Sequence, residues 1–497
     1  MLLAVALVTM AAVGLTGSGK RIDVLHGPDS LPHEGLKRKV LLIGGLDGSD
    51  ASAKFVRQQF DKLKSSDRLA ISAIPMGNPE KSALQFPPTG DAYAKGTESH
   101  YLWRFIGTFA PDMVIVAGED PGGLAKALSR TAAADVGIIP AQVVELKAGA
   151  LKDALTPTIV TSQARQQMLR RLDRTPSGIA KLLATVYGHE FKEAVYIPAM
   201  ALIGRLRLGG VDVLEDVESL VALFLTGERN SMEKATSSHL SGHLIFAELA
   251  ERTNNKKYVD LVRTAADTGF EWDGSMRDSM PFHNEMSDSV FMGTPILVKA
   301  GKLTGETRYF QMAMRHTRFM RKLCLRADGL YRHSPLDEAA WGRGNGFPAL
   351  GLALSLQDMP KGADRAEMLE AFRQHMAALL KHQDETGMWR QVIDVPGSYR
   401  EFSATAMIGF AMAKGVRLGW LDAATYRPAV ARAWTAVKTR ISSNGQLIDV
   451  CTNTGKQRSL KEYFDRTAVL GIDARGGAMA LLFATELMEP GAGQLGH

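Results

Sequence analysis

The sequence predicts an α/β layer at the N-terminal end followed by a large all-helical domain. Three observations predict it. Short apolar runs rich in β-branched residues alternate with helical stretches as far as about residue 170, the pattern of a largely parallel sheet. Beyond Pro176, helix-period segments follow one another with almost no β-branched alternation. The 497 residues, 45% hydrophobic and 23% charged, supply enough for two or three domains with sizeable cores.

The first element, Met1 to Leu15 (MLLAVALVTMAAVGL), is apolar and followed by small residues. It has the form of a secretory leader's core, although no Lys or Arg precedes it, and it is shorter than the roughly 20 residues of a membrane span. Residues 1–19 are therefore expected to be a leader or anchor, and the chain secreted or periplasmic. A coding start further downstream is the other reading.

Lys39–Ile43 is a buried strand entering the Gly44-Gly45 loop, and Ala51–Leu63 is a helix. Leu69–Pro75 is a second strand, Tyr101–Phe109 a helix, and Met113–Ala117 a third strand. These make an α/β domain over residues 20–170. Residues 171–497 hold about twelve helices: Ser177–Tyr187, Ala194–Leu206, Leu214–Leu225, Leu240–Thr253, Lys257–Thr268, Ser289–Lys302, Thr307–Leu325, Phe347–Gln357, Ala363–His382, Ala404–Lys414, Ala423–Lys438 and Gly477–Glu486. Twelve helices suffice for six hairpins closed into a toroid with a ligand bowl at one end. An open helical array is the alternative, and no period in sequence identity favours it.

The formal charge of +6 is mild for this length, and no Lys/Arg stripe interleaves with aromatics, which argues against nucleic acid. A mildly basic surface suits an acidic glycan. Two cysteines, Cys324 and Cys451, exclude a disulfide framework and are expected to be free, partly buried thiols.

The unusual residues lie between the helices. Asp288 sits where a helix begins, so it either caps free N–H groups or offers a carboxylate to chemistry. His283 and Glu285 lie beside it. In Trp341-Gly342-Arg343-Gly344-Asn345-Gly346-Phe347, glycines let backbone approach a ligand, Arg343 can clamp a carboxylate through two parallel bonds, and Trp341 and Phe347 can stack on a sugar. A tight interhelical turn with aromatic core residues explains the same string. Ser403 and Thr405 can reach the bowl or cap a helix.

Taken together, SDSVFMGTPILVKAGKLTGETRYF, DGLYRHS, WGRGNGF and SATAMIGFAMAKGVRLGWLD resemble glycoside hydrolase family 105, the unsaturated rhamnogalacturonyl hydrolases, kin to family 88. The resemblance runs over roughly Ser237–Leu487. It implies an (α/α)6 toroid of the six-hairpin glycosidase type, an acidic oligosaccharide substrate, and no metal or organic cofactor. It also implies hydration of the C4=C5 vinyl ether that a polysaccharide lyase leaves beside a uronic carboxylate. By motif position Asp288 matches the acid/base aspartate and His333 a substrate-contacting histidine. Trp341, Arg343 and Phe347 match pocket positions, where the family more often has Trp at the last. A second aspartate is missing: Thr236-Ser237-Ser238-His239-Leu240-Ser241-Gly242-His243 stands in its place, with His239 or His243 as candidates to face the bowl.

The Gly44–Asp50 loop is similar to the metal loop of zinc carboxypeptidases and succinylglutamate desuccinylase-like enzymes. Those carry His-x-x-Glu where this chain has Asp47-x-x-Asp50, and Glu119 lies where their third ligand would be sought. Two aspartates are a poor zinc set, so this domain is expected to be a degenerate relative with Asp47 and Asp50 as loop caps. The leading expectation is a hydrolase for unsaturated uronyl oligosaccharides. Its rivals are a carbohydrate-binding protein on the same fold and a metallo-peptidase or deacylase in the first domain.

Overall fold

The computed structural model of the protein describes residues 8–94, 97–156, 158–452 and 455–490. Its first part is a six-stranded sheet of β1 (Thr9–Leu15), β2 (Arg21–His26), β3 (Arg38–Ile43), β4 (Leu69–Ile74), β5 (Met113–Ala117) and β6 (Ala141–Val144). The order is β1-β2-β4-β3-β5-β6. β4, β3, β5 and β6 run parallel, while β1 and β2 pair antiparallel with each other and β2 with β4. Helices α1 (Asp50–Leu63), α2 (Thr97–Phe109), α3 (Leu124–Leu128), α4 (Ala150–Leu155) and α5 (Gln163–Leu172) complete this part.

The three expected strands are the buried centre of the sheet. Part of the apolar run read as a leader is something else: Thr9–Leu15 is the edge strand β1, with Ala11, Ala12 and Val13 buried. A short apolar strand and a leader core have the same composition, and only tertiary pairing with β2 separates them. Residues 1–7 lie outside the described residues.

The second part contains α6 (Pro176–Ala184), α7 (Tyr196–Leu208), α8 (Val211–Leu225), α9 (Ser237–Gly242), α10 (Leu244–Thr253), α11 (Lys256–Ala266), α12 (Ser289–Thr304), α13 (Thr307–Cys324), α14 (Gly342–Asp358), α15 (Ala363–Leu380), α16 (Phe402–Arg417), α17 (Ala423–Thr439), α18 (Leu460–Phe464) and α19 (Ala474–Glu486). A hairpin, β7 (Leu447–Cys451) with β8 (Ala468–Gly471), carries α18 between its strands. Helices α12, α14, α16 and α19 are buried on almost every side, as helices apolar all round must be. By contrast α13 and α15 bury one stripe and expose charged residues. The buried helices pack in a cycle: α7 on α9 and α10, these on α12, then α14, α16 and α19, and α19 again on α7. α11, α13, α15 and α17 back them from outside, with α8 and α6 flanking α7. The C-terminal ends of the inner helices converge on one cavity of about 360 Å³. Their N-terminal ends therefore share the opposite end.

The sheet docks at that opposite end. Arg104 of α2 and the Tyr93 hydroxyl both bond Asp449 of β7, at 2.8 and 3.1 Å. Arg390 donates to Ala12 O at 3.1 Å, and Tyr93 stacks on Tyr399 at 4.4 Å. Trp341, Tyr399, Cys451 and Tyr463 share one apolar cluster with residues of β1, β2 and α2.

Candidate active site

Asp288 immediately precedes α12 and is 4% exposed. Its backbone is already helical and its side chain makes no capping bond. Oδ1 is buried with no hydrogen-bond partner among the described residues. Local pairings fix the turn that delivers it: Ser287 N–H donates to His333 O at 2.9 Å, and Ser287 Oγ to Gly344 O at 2.6 Å. From the outer ring, His316 accepts from Met280 N–H at 3.1 Å through Nδ1 and bonds Ser289 O at 2.8 Å through Nε2.

His333 is fully buried, with Nε2 3.4 Å from Asp288 Oδ1, a contact that falls short of a hydrogen bond. Its Nδ1 lies 2.8 Å from the Tyr463 hydroxyl, and its ring packs on Trp341 at 4.4 Å. Trp341 is wholly enclosed: the guanidinium carbons of Arg343 and Arg466 sit 5.0 and 4.8 Å from its ring centroid. The expected open stacking platform is thus covered here.

Arg343 is also fully buried and donates to Cys451 O at 2.8 Å and Ser403 Oγ at 3.3 Å. Burial works against its charge, but Cys451, Tyr196, Glu401 and Asp288 around it more than compensate and raise its pKa. Glu401 caps α16 through Ser403 N–H and Ala404 N–H and also accepts Cys451 N–H. One buried carboxylate thereby ties the start of α16 to the end of β7.

The string from Trp341 was expected to be a loop, yet α14 starts at Gly342, so Arg343, Gly344 and Asn345 form its first turn. Glycine is required there by packing: a Cβ on Gly342 would lie 2.5 Å from Arg390 O. Asn345 bonds Tyr331 N–H and O, both at 2.8 Å, holding the segment that presents His333. Phe347 stacks on Phe291 at 5.6 Å and meets Tyr196 edge-on at 5.6 Å, inside the helical core rather than on an open wall.

In the stretch without an aspartate, His239 Nδ1 accepts Thr236 N–H at 3.1 Å as part of a reciprocal cap on α9. His243 turns inward, bonded to His239 O and Ser231 Oγ at 2.6 and 2.9 Å. His283 is exposed on the rim with Nδ1 2.8 Å from Ser237 Oγ, and Glu285 pairs with Lys456 at 2.7 Å. Thr405 serves the fold by accepting Trp389 N–H at 3.0 Å. Sequence reasoning missed Glu401, Tyr463 and Arg466. Glu401 carried one signal, an acidic residue directly before a helix start; the other two come from the β7–β8 excursion and carried none.

Elsewhere, Asp47 Oδ1 accepts Ser49 N–H at 3.0 Å, Asp50 opens α1, and Glu119 is exposed. Among the described residues no group of three or more His, Cys, Asp or Glu is placed to hold a metal ion. The cavity at the far end of the inner helices holds acids and bases that pair with each other, such as Arg417 with Glu486 at 2.7 Å and Lys299 with Asp358 at 2.8 Å. No helix among the described residues is long and apolar enough to cross a membrane.

The helical part is a cycle of helices that carries a buried carboxylate, imidazole and guanidinium at one end. The model of Glycosyl Hydrolase Family 88 matches residues 173–489, and the chain belongs to that family. Membership makes the helical part a glycoside hydrolase. An unsaturated 3S-rhamnoglycuronyl hydrolase of Formosa agariphila is 31% identical over 169 residues, 30% of this chain and 45% of that one. The unsaturated rhamnogalacturonyl hydrolase YesR of Bacillus subtilis is 24% identical over 212 residues, 41% of this chain and 59% of its own. The matched stretches thus span about half the length of these two relatives. A solved structure of a possible GH105 family member from Salmonella enterica has a similar fold, with a TM-score of 0.55 at 22% identity over 63% of this chain and 93% of that one.

Proposed function

We propose that the protein releases a 4,5-unsaturated uronic acid from the non-reducing end of lyase-generated oligosaccharides by hydrating the vinyl ether. Its substrates are unsaturated uronyl oligosaccharides. The observation that carries the mechanism is Asp288, a buried carboxylate at a helix start that caps nothing and faces an imidazole at 3.4 Å. Asp288 gives its proton to C4, and the ring oxygen shares the positive charge that develops at C5. Water adds its oxygen to C5 and returns a proton to Asp288. The hemiketal opens to a ketone, and the hemiacetal left at C1 collapses to release the next sugar. Arg343 supplies the permanent positive charge that a uronic carboxylate needs. The closed cycle of inner helices, in which α9 and α10 together fill one of six places, backed from outside, supports the six-hairpin (α/α)6 toroid as the frame.

The α/β part is a degenerate carboxypeptidase-like layer that positions the β7 hairpin over the site. Asp47 spent on a turn and the buried Arg104–Asp449 pair support this. One observation favours a second reading, a carbohydrate-binding protein without turnover: the stretch Thr236–His243 has no aspartate, and His239 is committed to a cap. Incubation with a panel of lyase products, followed by the ultraviolet absorbance of the conjugated alkene, separates the two. Loss of absorbance identifies the substrate and supports hydration. Binding of panel members by the folded protein without any loss supports the second reading.

A further inference from the structure

Tyr463 lies far along the chain from the residues the sequence singled out. It sits on α18, inside the excursion between β7 and β8, and its side chain is buried. Its hydroxyl is 2.8 Å from His333 Nδ1 and accepts Gln457 N–H at 3.2 Å. The ring meets His333 edge-on at 5.7 Å, while Arg466 lies over its face at 5.1 Å.

A neutral imidazole carries one N–H, and its position is set by what each nitrogen meets. A phenol has a single hydrogen to donate. With Gln457 N–H occupying a lone pair on the oxygen, that hydrogen is directed to His333 Nδ1, which then acts as acceptor. The ring proton stands on Nε2, towards Asp288 Oδ1. In the opposite tautomer, a bare Nε2 lone pair would face a carboxylate oxygen at 3.4 Å, and the phenol hydrogen would have no acceptor at His333. Burial pushes the Tyr463 phenol up to about 12, so it keeps its hydrogen at neutral pH.

We propose that Tyr463 is a positioning residue that fixes His333 in the Nε2–H tautomer, so that its N–H is aimed at the Asp288 carboxylate. This rests on the role given to Asp288 above. The N–H steadies the carboxylate after it has given its proton to the substrate. Contacts of this type are often long before substrate closes the site and shorten in the reacting complex.

The test begins with the wild-type protein labelled with nitrogen-15 histidine. The His333 ring signals, assigned by their loss in His333→Gln, report the tautomer directly. A pyridine-like Nδ1 and a protonated Nε2 are expected; a protonated Nδ1 overturns the proposal before any activity is measured. Tyr463→Phe keeps the ring packing and removes the hydroxyl. It should shift the His333 signals towards a mixture of tautomers, lower kcat by roughly tenfold or more with KM little changed, and move the pH profile of kcat, as loss of a partner that orients a working imidazole does. Unchanged His333 signals in this variant, or changed signals with kcat and its pH profile intact, overturn the proposal. Because the nitrogen signals need no turnover, a protein inactive on every oligosaccharide still returns an answer on Tyr463, and failure of the hydrolase reading is seen separately.

Discussion

Acid should unfold this protein well before its carboxylates neutralise, because several histidines are buried in the neutral form. His243 and His316 are both fully buried, and burial lowers each from 6.5 to about 4; backbone acceptors only partly offset this. His316 already uses Nδ1 to accept Met280 N–H, so a proton there would break the bond that steadies the approach to α12. The unfolded chain binds protons at these two sites below pH 6.5, whereas the native state does not until about pH 4. Stability from these groups is therefore complete above pH 6.5 and drains away as the pH falls through that window. At about 1.4 kcal/mol per pKa unit, each histidine accounts for roughly 3 kcal/mol. The pair is comparable with the whole stability of a typical domain, about 5–15 kcal/mol. His26, lowered to about 3 chiefly by burial, acts in the same direction in the sheet domain. Denaturant unfolding followed by circular dichroism at pH 7.5, 6.0, 5.5 and 5.0 measures the effect. The slope below pH 6 should be about 1.4 kcal/mol per pH unit for each proton taken up, hence near 3 from the two helical-domain sites. Stability that stays flat between pH 6.5 and 5 would refute the reasoning.

Three further outcomes follow from the packing. Asp449→Asn keeps a side chain that tolerates the positive φ of 68° but removes the charge facing Arg104; a loss of about 3 kcal/mol is expected, read as a lower melting temperature. Gly242→Ala would place a Cβ 1.9 Å from Ala194 O, a backbone atom that cannot swing aside, so destabilisation at or beyond the usual ~1–3 kcal/mol of overpacking is expected in denaturant melts. Neither thiol is in a disulfide and both are buried, and burial pushes Cys324 up to about 12; a thiol reagent should find neither in the native protein and both after denaturation.

The helical architecture was legible because each helix carries its own period or its own all-apolar composition. Leu240–Thr253 divides between α9 and α10, where His243 bonds back to His239 O at the junction. The glycines around Arg343 misled towards a loop, since their value is close backbone approach and not flexibility. The place of Asp288 at a helix start was legible from spacing, but its freedom from capping was visible only in three dimensions. The enclosure of Trp341 was not legible at all: the covering residues Tyr463 and Arg466 lie more than a hundred positions downstream, on an excursion with no periodicity. Likewise β1 is defined by its pairing with β2, which composition does not encode.

The central claim is that Asp288 protonates the alkene, and it has a direct test in deuterium oxide. With a responsive oligosaccharide, the wild-type protein should abolish the alkene absorbance and leave one deuterium on C4 of the released product, while Asp288→Asn, folded to the same extent, should do neither. Release of a uronic acid that keeps its double bond, or deuterium incorporation undiminished in Asp288→Asn, would contradict the account.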